Sequence, residues 1–378
     1  MEEVADKLKV AIAAGGTAGH INPALALAGE LAQRGHEVCF FGQSTRLEAK
    51  LVPEAGYPFH QIVVTGFDRS RPWTAITALV RMRGAEREVG QVFAAEGAPD
   101  VAVGFGAYVE MALLRWCASH GVPYVLHEQN SVPGLANKMS AKKAAKLCLS
   151  FPAARAAFEG KTGPATEVVM TGNPVRRSVT DATRQGGRAA FGVPEDAEML
   201  LVFGGSLGAQ HLNQGIVALR DRLLAQPSLY IVHSTGDALY DDTVAALGLT
   251  EEQKARWQVM PYISDMGGAL AAADLVVSRA GASSIAEIAA LAVPSLLVPY
   301  PLATENHQAT NAHLLADVGA AVICDDDRID TSEFADGLMD LVTDPDRRGA
   351  MHKAALTLKA GDAAAALADQ VEAAAHKA

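Results

Sequence analysis

His20 stands directly after the run Gly15-Gly16-Thr17-Ala18-Gly19, and that placement is the first sign of chemistry in this chain. A glycine turn lets the backbone approach a ligand with no Cβ in the way, and a helix behind it offers unpaired N–H groups to an anion. A histidine beside such a turn is placed to take a proton from a bound hydroxyl. The plainer reading is a structural histidine at a tight turn. The pattern returns half a chain later as Gly204-Gly205-Ser206-Leu207-Gly208, where Ser206 serves either as a phosphate-contacting hydroxyl or as a helix N-cap. Neither turn has the G-x-G-x-x-G spacing of a dinucleotide site, which counts against a nucleotide-dependent oxidoreductase.

Further along, Ser278-Arg279-Ala280-Gly281 leads into Ala282-Ser283-Ser284-Ile285-Ala286-Glu287. Small residues there expose a helix N-terminus able to hold a departing diphosphate. Glu287, one turn in, is suited to chelate two vicinal ribose hydroxyls, or is simply an acid in a place the helix dipole favours. The loop from Pro299 to Asn311, with Glu305, Asn306, His307 and Gln308, suits the reading of sugar hydroxyls. His127-Glu128-Gln129-Asn130 either lines a sugar site or satisfies buried backbone groups. Asp325-Asp326-Asp327 reads as a solvated turn and not as a metal site.

These residues need elements to hold them. Short β-branched runs alternate with helical stretches, the pattern of parallel sheets covered by helices. Strands are expected at 9–14, 37–41, 61–64, 101–105, 124–127, 146–150 and 167–171, then at 199–203, 229–234, 258–260, 275–278, 295–298 and 321–324. Each repeat of strand, Gly-Gly-Thr/Ser-x-Gly turn and helix opens a half, so the reading is α/β with two Rossmann-like domains. Turn residues Gly172-Asn173-Pro174-Val175 place the linker, dividing the chain into domains 1–173 and 174–360. A terminal helix, 361–378, either caps the second domain or crosses back to the first.

Composition limits the partners. The 378 residues are 49% hydrophobic and 20% charged, with a net charge of −11, which argues against a nucleic-acid binder. Residues 1–175 carry 17 basic and 16 acidic residues, and the remainder 15 and 27, so the first half is the one fit to meet an anionic surface. Four scattered cysteines without C-x-x-C spacing suggest a reducing compartment, and the N-terminus reads as neither signal peptide nor anchor. Between Gly66 and Arg83 a helix is expected from Pro72. Its Trp73, Ile76, Leu79 and Val80, bracketed by Arg69, Arg71, Arg81 and Arg83, fit either an in-plane membrane contact or a helix packed on the sheet with a charged rim.

Assembled, the sequence resembles the MurG family of bacterial peptidoglycan glycosyltransferases. The likeness runs through GGTAGHINPALALA (15–28), GFGAYVE (104–110), HEQNSVPGLANK (127–138), GNPVR (172–176), GGSLGAQHLN (204–213) and RAGASSIAEIAALAVPSLLVPYP (279–301). It implies the two-domain GT-B architecture around a cleft. It also implies inverting transfer of N-acetylglucosamine from UDP-N-acetylglucosamine to lipid I, forming lipid II, by a peripheral enzyme at the cytoplasmic face of the cell membrane. Candidate partners are the anionic inner-membrane surface and other cell-wall synthesis proteins. No tightly bound cofactor is implied, and any divalent cation would arrive with the donor diphosphate.

The family's donor contacts fall on Thr17, Ala18, Gly19, Asn130, Arg176, Ser206, Ile263, Ala282 to Glu287, and Gln308, with Asn306 and His307 as alternatives to the last. Ile263 would read the uracil edge, Glu287 the ribose and Gln308 the sugar. His20 is the base candidate, and Gly15, Gly16 and Gly19 would hold the acceptor diphosphate. Ala18 departs from the glycine of many relatives and adds a methyl there.

Overall fold

The computed structural model describes residues 7–64, 74–205, 208–303, 306–358 and 361–376, with the backbone alone for 74–79. Two compact units divide it, one comprising Met1–Arg176 with Gly361–Ala378 and the other Arg177–Ala360. The first holds a seven-stranded parallel sheet of β1 (Lys9–Ala13), β2 (Glu37–Gly42), β3 (Phe59–Gln61), β4 (Val101–Gly104), β5 (Tyr124–Glu128), β6 (Lys146–Leu149) and β7 (Glu167–Met170), in the order β3-β2-β1-β4-β5-β6-β7. The second holds six parallel strands, β8 (Glu198–Phe203), β9 (Leu229–Ser234), β10 (Trp257–Met260), β11 (Leu275–Ser278), β12 (Ser295–Leu297) and β13 (Ala321–Ile323), in the order β10-β9-β8-β11-β12-β13.

Helices cover both faces of a parallel sheet, so its central strands must be apolar throughout. Val101–Gly104 and Leu275–Ser278 are accordingly buried at every position. The chain reverses direction of winding beside β1 and β4 in one sheet and beside β8 and β11 in the other. Open α/β sheets bind ligands at such points, outside the carboxyl ends of the strands. The glycine turns follow β1 and β8, and the Ser278–Glu287 stretch follows β11. Topology therefore puts the sequence motifs where ligands bind.

One strand is displaced from its expected place. The β-branched run 61–64 suggests a strand, yet β3 pairs earlier, Phe40 with Phe59 and Gly42 with Gln61. Beyond Gly42 the neighbouring strand has ended, and side chains replace the ladder: Glu88 accepts from the Val63 amide at 3.1 Å and Gln43 donates to the Val64 carbonyl.

The units part between Arg176 and Arg177, and Gly172, just before that point, is tied to the first sheet through Leu149 and His127. The terminal helix Ala363–Ala375 belongs to the first unit. Its Leu367, Ala368 and Val371 enter the core around Val10, Ile12 and Leu25. Arg34 pins it through Asp369 at 2.6 Å and Glu372 at 3.0 Å.

The helix Thr74–Glu96 turns Met82, Ala85, Val89 and Phe93 into the first core and leaves Val80, Arg81 and Arg83 exposed. Arg69, Arg71 and Trp73 lie outside the described residues, and Ile76 and Leu79 are described by backbone only. Among the described residues no helix is long and apolar enough to cross a membrane.

Candidate functional site

In the first unit the glycine turn rests on a carboxylate. Glu48 opens the helix Glu48–Glu54 and is 1% exposed. Its Oε2 accepts from the Gly16 amide at 3.0 Å and its Oε1 from the Gln43 amide at 3.1 Å. Gly16 has φ +87°, where a side chain would be strained, and a Cβ on Gly15 would lie 2.4 Å from Glu48 Oε1. The Gly16 N–H, one of those expected to meet the acceptor diphosphate, is thus already bonded to a carboxylate. Gly15 is buried, whereas Ala18 and Gly19, at the start of the helix Ala18–Gln33, are partly exposed. His20, the third residue of that helix, has Nδ1 3.2 Å from Thr17 Oγ1.

Two more carboxylates repeat the device after β4 and β5. Glu110 accepts from the Gly106 amide, and burial pushes its pKa well above the carboxylate range. Glu128 takes the amides of Asn130 at 3.0 Å and Gly134 at 3.1 Å and the Asn137 side chain at 2.9 Å. Burial outweighs these bonds and leaves its pKa raised. His127 donates Nε2–H to the Gly172 carbonyl at 3.0 Å and accepts from Gln129 at Nδ1, and burial lowers its pKa to about 4. His127, Glu128 and Gln129 thus satisfy buried groups, and of this cluster Asn130 is partly exposed. Arg176 is also partly exposed, with a buried Nε lacking an acceptor.

The second unit forms a pocket of about 670 Å³ at the carboxyl ends of β8, β11 and β12, lined by Gly204, Gly208, Gln210, His211, Arg279, Tyr300, Gln308 and Asp326 among others. Gly208 must be glycine, since a Cβ would fall 2.0 Å from the Thr235 carbonyl oxygen. Gln308 Oε1 accepts from the amides of Ala280 at 3.1 Å and Tyr300 at 3.0 Å, holding two loops of the rim together. Arg279, 6% exposed, donates to the carbonyls of Val298 and Pro299 and pairs with Asp326 at 2.5 Å. His211 bridges Asp326 at 2.9 Å and Asp330 at 3.1 Å. Those hydrogen bonds, from Asp326 foremost, raise the His211 pKa. Burial works to raise the Asp326 pKa, but the bonds from His211 and Arg279 prevail and hold it low.

Of the expected donor residues in the second unit, Gln308 lines this pocket. Glu287 is buried in the helix Ala282–Leu291, where Ser283, Ser284 and Ala286 are partly exposed and Ala282 is buried. Ile285 is fully buried, and its amide donates to the Gly281 carbonyl. Ile263 is buried in the loop after β10. Asn306 caps the helix His307–Ala316 with φ +54°, and Ser206 lies outside the described residues.

Asp326 corrects a further expectation. Asp325 and Asp327 are exposed as a solvated turn would have them, but Asp326 is only partly exposed and serves as a counter-ion on which Arg279 and His211 converge. Sequence reasoning missed this trio, although Arg279 and Asp326 both sit in stretches it singled out and His211 follows the second glycine turn as His20 follows the first.

The Glycosyltransferase family 28 N-terminal domain matches residues 10–148, and the family's C-terminal domain matches residues 199–370. Two proteins named UDP-N-acetylglucosamine–N-acetylmuramyl-(pentapeptide) pyrophosphoryl-undecaprenol N-acetylglucosamine transferase are each 40% identical to the chain. That of Chlorobium phaeobacteroides aligns over 96% of this chain and 98% of its own, and that of Salinibacter ruber over 94% of each. The crystal structure of Acinetobacter baumannii MurG is similar with a TM-score of 0.72 at 28% identity, covering 97% of this chain and 99% of its own. The chain belongs to glycosyltransferase family 28 and, within it, to the MurG family.

Proposed function

We infer that this chain transfers N-acetylglucosamine from UDP-N-acetylglucosamine to the muramyl sugar of lipid I, forming lipid II in peptidoglycan synthesis. The observation that carries this is whole-length identity to enzymes of that name, with both glycine turns at the points where their sheets switch direction. An α-linked donor and a β-linked product require inversion in a single displacement. The acceptor hydroxyl oxygen forms a bond to the anomeric carbon, the bond from that carbon to the diphosphate oxygen breaks, and its electron pair leaves with UDP. The hydroxyl proton passes to Nε2 of His20. Partial positive charge at the start of the Ala282–Leu291 helix, at Ser283 and Ser284, supports the departing diphosphate together with the Ser206 turn. Glu287 holds the ribose and Gln308 the sugar, while Thr17, Ala18, Gly19, Asn130, Arg176 and the backbone at Ile263 complete the donor set.

No group of three His, Cys, Asp or Glu side chains arranged for a metal occurs among the described residues. Any divalent cation in the reaction would arrive with the donor's phosphates.

The enzyme works at the cytoplasmic face of the membrane, held by the first unit. Val80, Arg81 and Arg83 are exposed on the helix Thr74–Glu96, and Leu135 and Met139, one turn apart on Leu135–Ser140, are exposed ahead of exposed Lys142 and Lys143. Each basic residue at an anionic surface contributes about 1 kcal/mol, screened beyond roughly 8 Å at physiological salt.

A turnover assay with UDP-N-acetylglucosamine and a lipid I analogue tests the chemistry. Disaccharide product is expected, with His20→Ala lowering turnover about 10²- to 10⁴-fold at unchanged donor affinity. Absence of product would overturn the activity. Sedimentation with anionic vesicles tests the membrane: binding should weaken with salt and in the Arg81→Glu, Arg83→Glu double variant, and equal binding by that variant would return the helix to a packed surface element.

A further inference from the structure

We propose that Thr17 is the positioning residue for His20, holding the imidazole through its hydroxyl so that Nε2 receives the acceptor proton. This rests on the reading of His20 as the base. Thr17 occupies the N-cap of the helix Ala18–Gln33 with extended backbone, φ −134° and ψ 158°, the geometry in which a threonine hydroxyl ordinarily accepts from a backbone N–H of the first turn. Here it makes no such cap bond. Its Oγ1 instead lies 3.2 Å from Nδ1 of His20, three residues on. The hydroxyl is thus diverted from the backbone to the ring, in the spacing a capping box uses for a reciprocal pair of bonds.

Thr17 itself is fixed from behind. The Gly16 N–H is held by buried Glu48 at 3.0 Å, and the His20 amide donates to the Thr17 carbonyl at 3.1 Å, so both backbone ends of the Thr17–His20 pair are anchored. A base that accepts at Nε2 carries its other proton on Nδ1. That N–H then donates to Thr17 Oγ1, and the same bond persists when the ring becomes imidazolium. A hydroxyl is neutral, so it orients the ring without the strong stabilisation of imidazolium that a carboxylate partner gives.

Because Thr17 is exposed and caps nothing, its replacement leaves the fold intact. Thr17→Val, nearly isosteric, removes the hydroxyl. With the lipid I analogue it should lower kcat at saturating donor about three- to tenfold, the range for one neutral hydrogen bond, with melting temperature unchanged and any loss of the donor contact read separately in the donor KM. Thr17→Ser should restore most of the loss. In the His20→Ala background, Thr17→Val should add nothing further. A raised donor KM at normal kcat would overturn the proposal and leave Thr17 as a donor contact alone. An additive loss in the His20→Ala background would overturn it as well. Wild-type kcat in Thr17→Val alongside an impaired His20→Ala would overturn the role of Thr17 alone, whereas a fully active His20→Ala would remove the base on which the role depends.

Discussion

The two units share a parallel sheet, a switch of winding and a glycine turn at that switch, yet they fill the space beneath their loops with opposite materials. The first unit uses carboxylates: Glu48 under Gly16, Glu110 under Gly106, and Glu128 under Asn130 and Gly134. Around its glycine turn and pocket rim the second uses neutral amides. Asn213 donates to the Thr235 carbonyl and accepts from His233, and Gln308 joins Ala280 to Tyr300. Among the described residues no carboxylate takes an amide of Gly204, Gly205 or Gly208. A turn already occupied by an internal anion is a poor seat for an external one. The same fold thus closes its loops on buried carboxylates in one unit and on side-chain amides in the other.

Acid should separate the units most strongly. Burial lowers the pKa of His127 in the first unit to about 4 and of His233 in the second to about 3. With an unfolded value of about 6.5, each is neutral in both states above that pH and contributes no loss there. Below it the unfolded chain takes the proton first, so stability falls as pH drops from 6.5 toward the folded value, by about 3 to 5 kcal/mol per group at most. In the first unit the raised pKa values of Glu110 and Glu128 oppose this, since a raised carboxylate group favours the folded state increasingly as it protonates. The second unit should therefore open first on acidification. Hydrogen exchange resolved by unit checks this, with His233→Gln flattening the second unit's profile, and earlier opening of the first unit would break the contrast.

Removing one of the carboxylates tests it next. Glu128→Ala strands the amides of Asn130 and Gly134 and one donor of Asn137, and should destabilise the first unit by about 3 kcal/mol in denaturant melts. Glu128→Gln keeps the acceptor oxygen and should cost less. Exchange protection of the second unit should not change. Equal damage by Ala and Gln would show that charge, and not acceptance, holds the loop.

These carboxylates also mark the limit of what the sequence conveys. Strand positions were legible because a parallel strand must be apolar throughout, and even β3 was misplaced by only its pairing register. The glycine turns and the Ser278–Glu287 stretch were legible because glycine and small residues cluster where backbone must approach a ligand. Glu48 and Glu110 were not, because an acid in the first turn of a helix is ordinarily a surface residue favoured by the dipole, and only the fold reveals that a loop closes over it. His211 and Asp326 lie 115 residues apart, so no local pattern joins them.

Donor binding should respond strongly to the second unit's helix Ala282–Leu291. Glu287→Ala is expected to weaken UDP-N-acetylglucosamine binding by about 1.5 to 3 kcal/mol, the range for a hydrogen bond to a charged group. Calorimetry with UDP and with the intact donor should show the same loss, since the contact is to the ribose. Unchanged affinity in a folded Glu287→Ala protein would remove the ribose assignment and weaken the case that the second unit holds the nucleotide.

The smallest effect is expected at Asp326, and it sharpens the contrast by asking what a carboxylate does in the unit that otherwise keeps them from its turn. Asp326 faces two cations, so it neutralises Arg279 and His211 and takes no turn amide from a ligand. The raised pKa of His211 means that its contribution is complete below about pH 6.5 and is lost as pH rises through the folded value. Across that rise the bridge from the helix Gln210–Ala218 to the Asp326 turn weakens, and the pocket wall loosens with it. Asp326→Asn keeps the shape, lowers the His211 pKa toward its ordinary value and leaves Arg279 without its counter-ion. His211 is partly exposed and its second partner, Asp330, is mostly exposed, so screening limits the share of the energy that runs through His211 to about 1 kcal/mol or less. Donor affinity should shift by no more than about fivefold, while its variation between roughly pH 6 and 8 should flatten. A pH profile identical to that of the unsubstituted chain would show that the bridge does not reach the pocket, and a far larger loss of affinity would place Asp326 in contact with the nucleotide sugar itself.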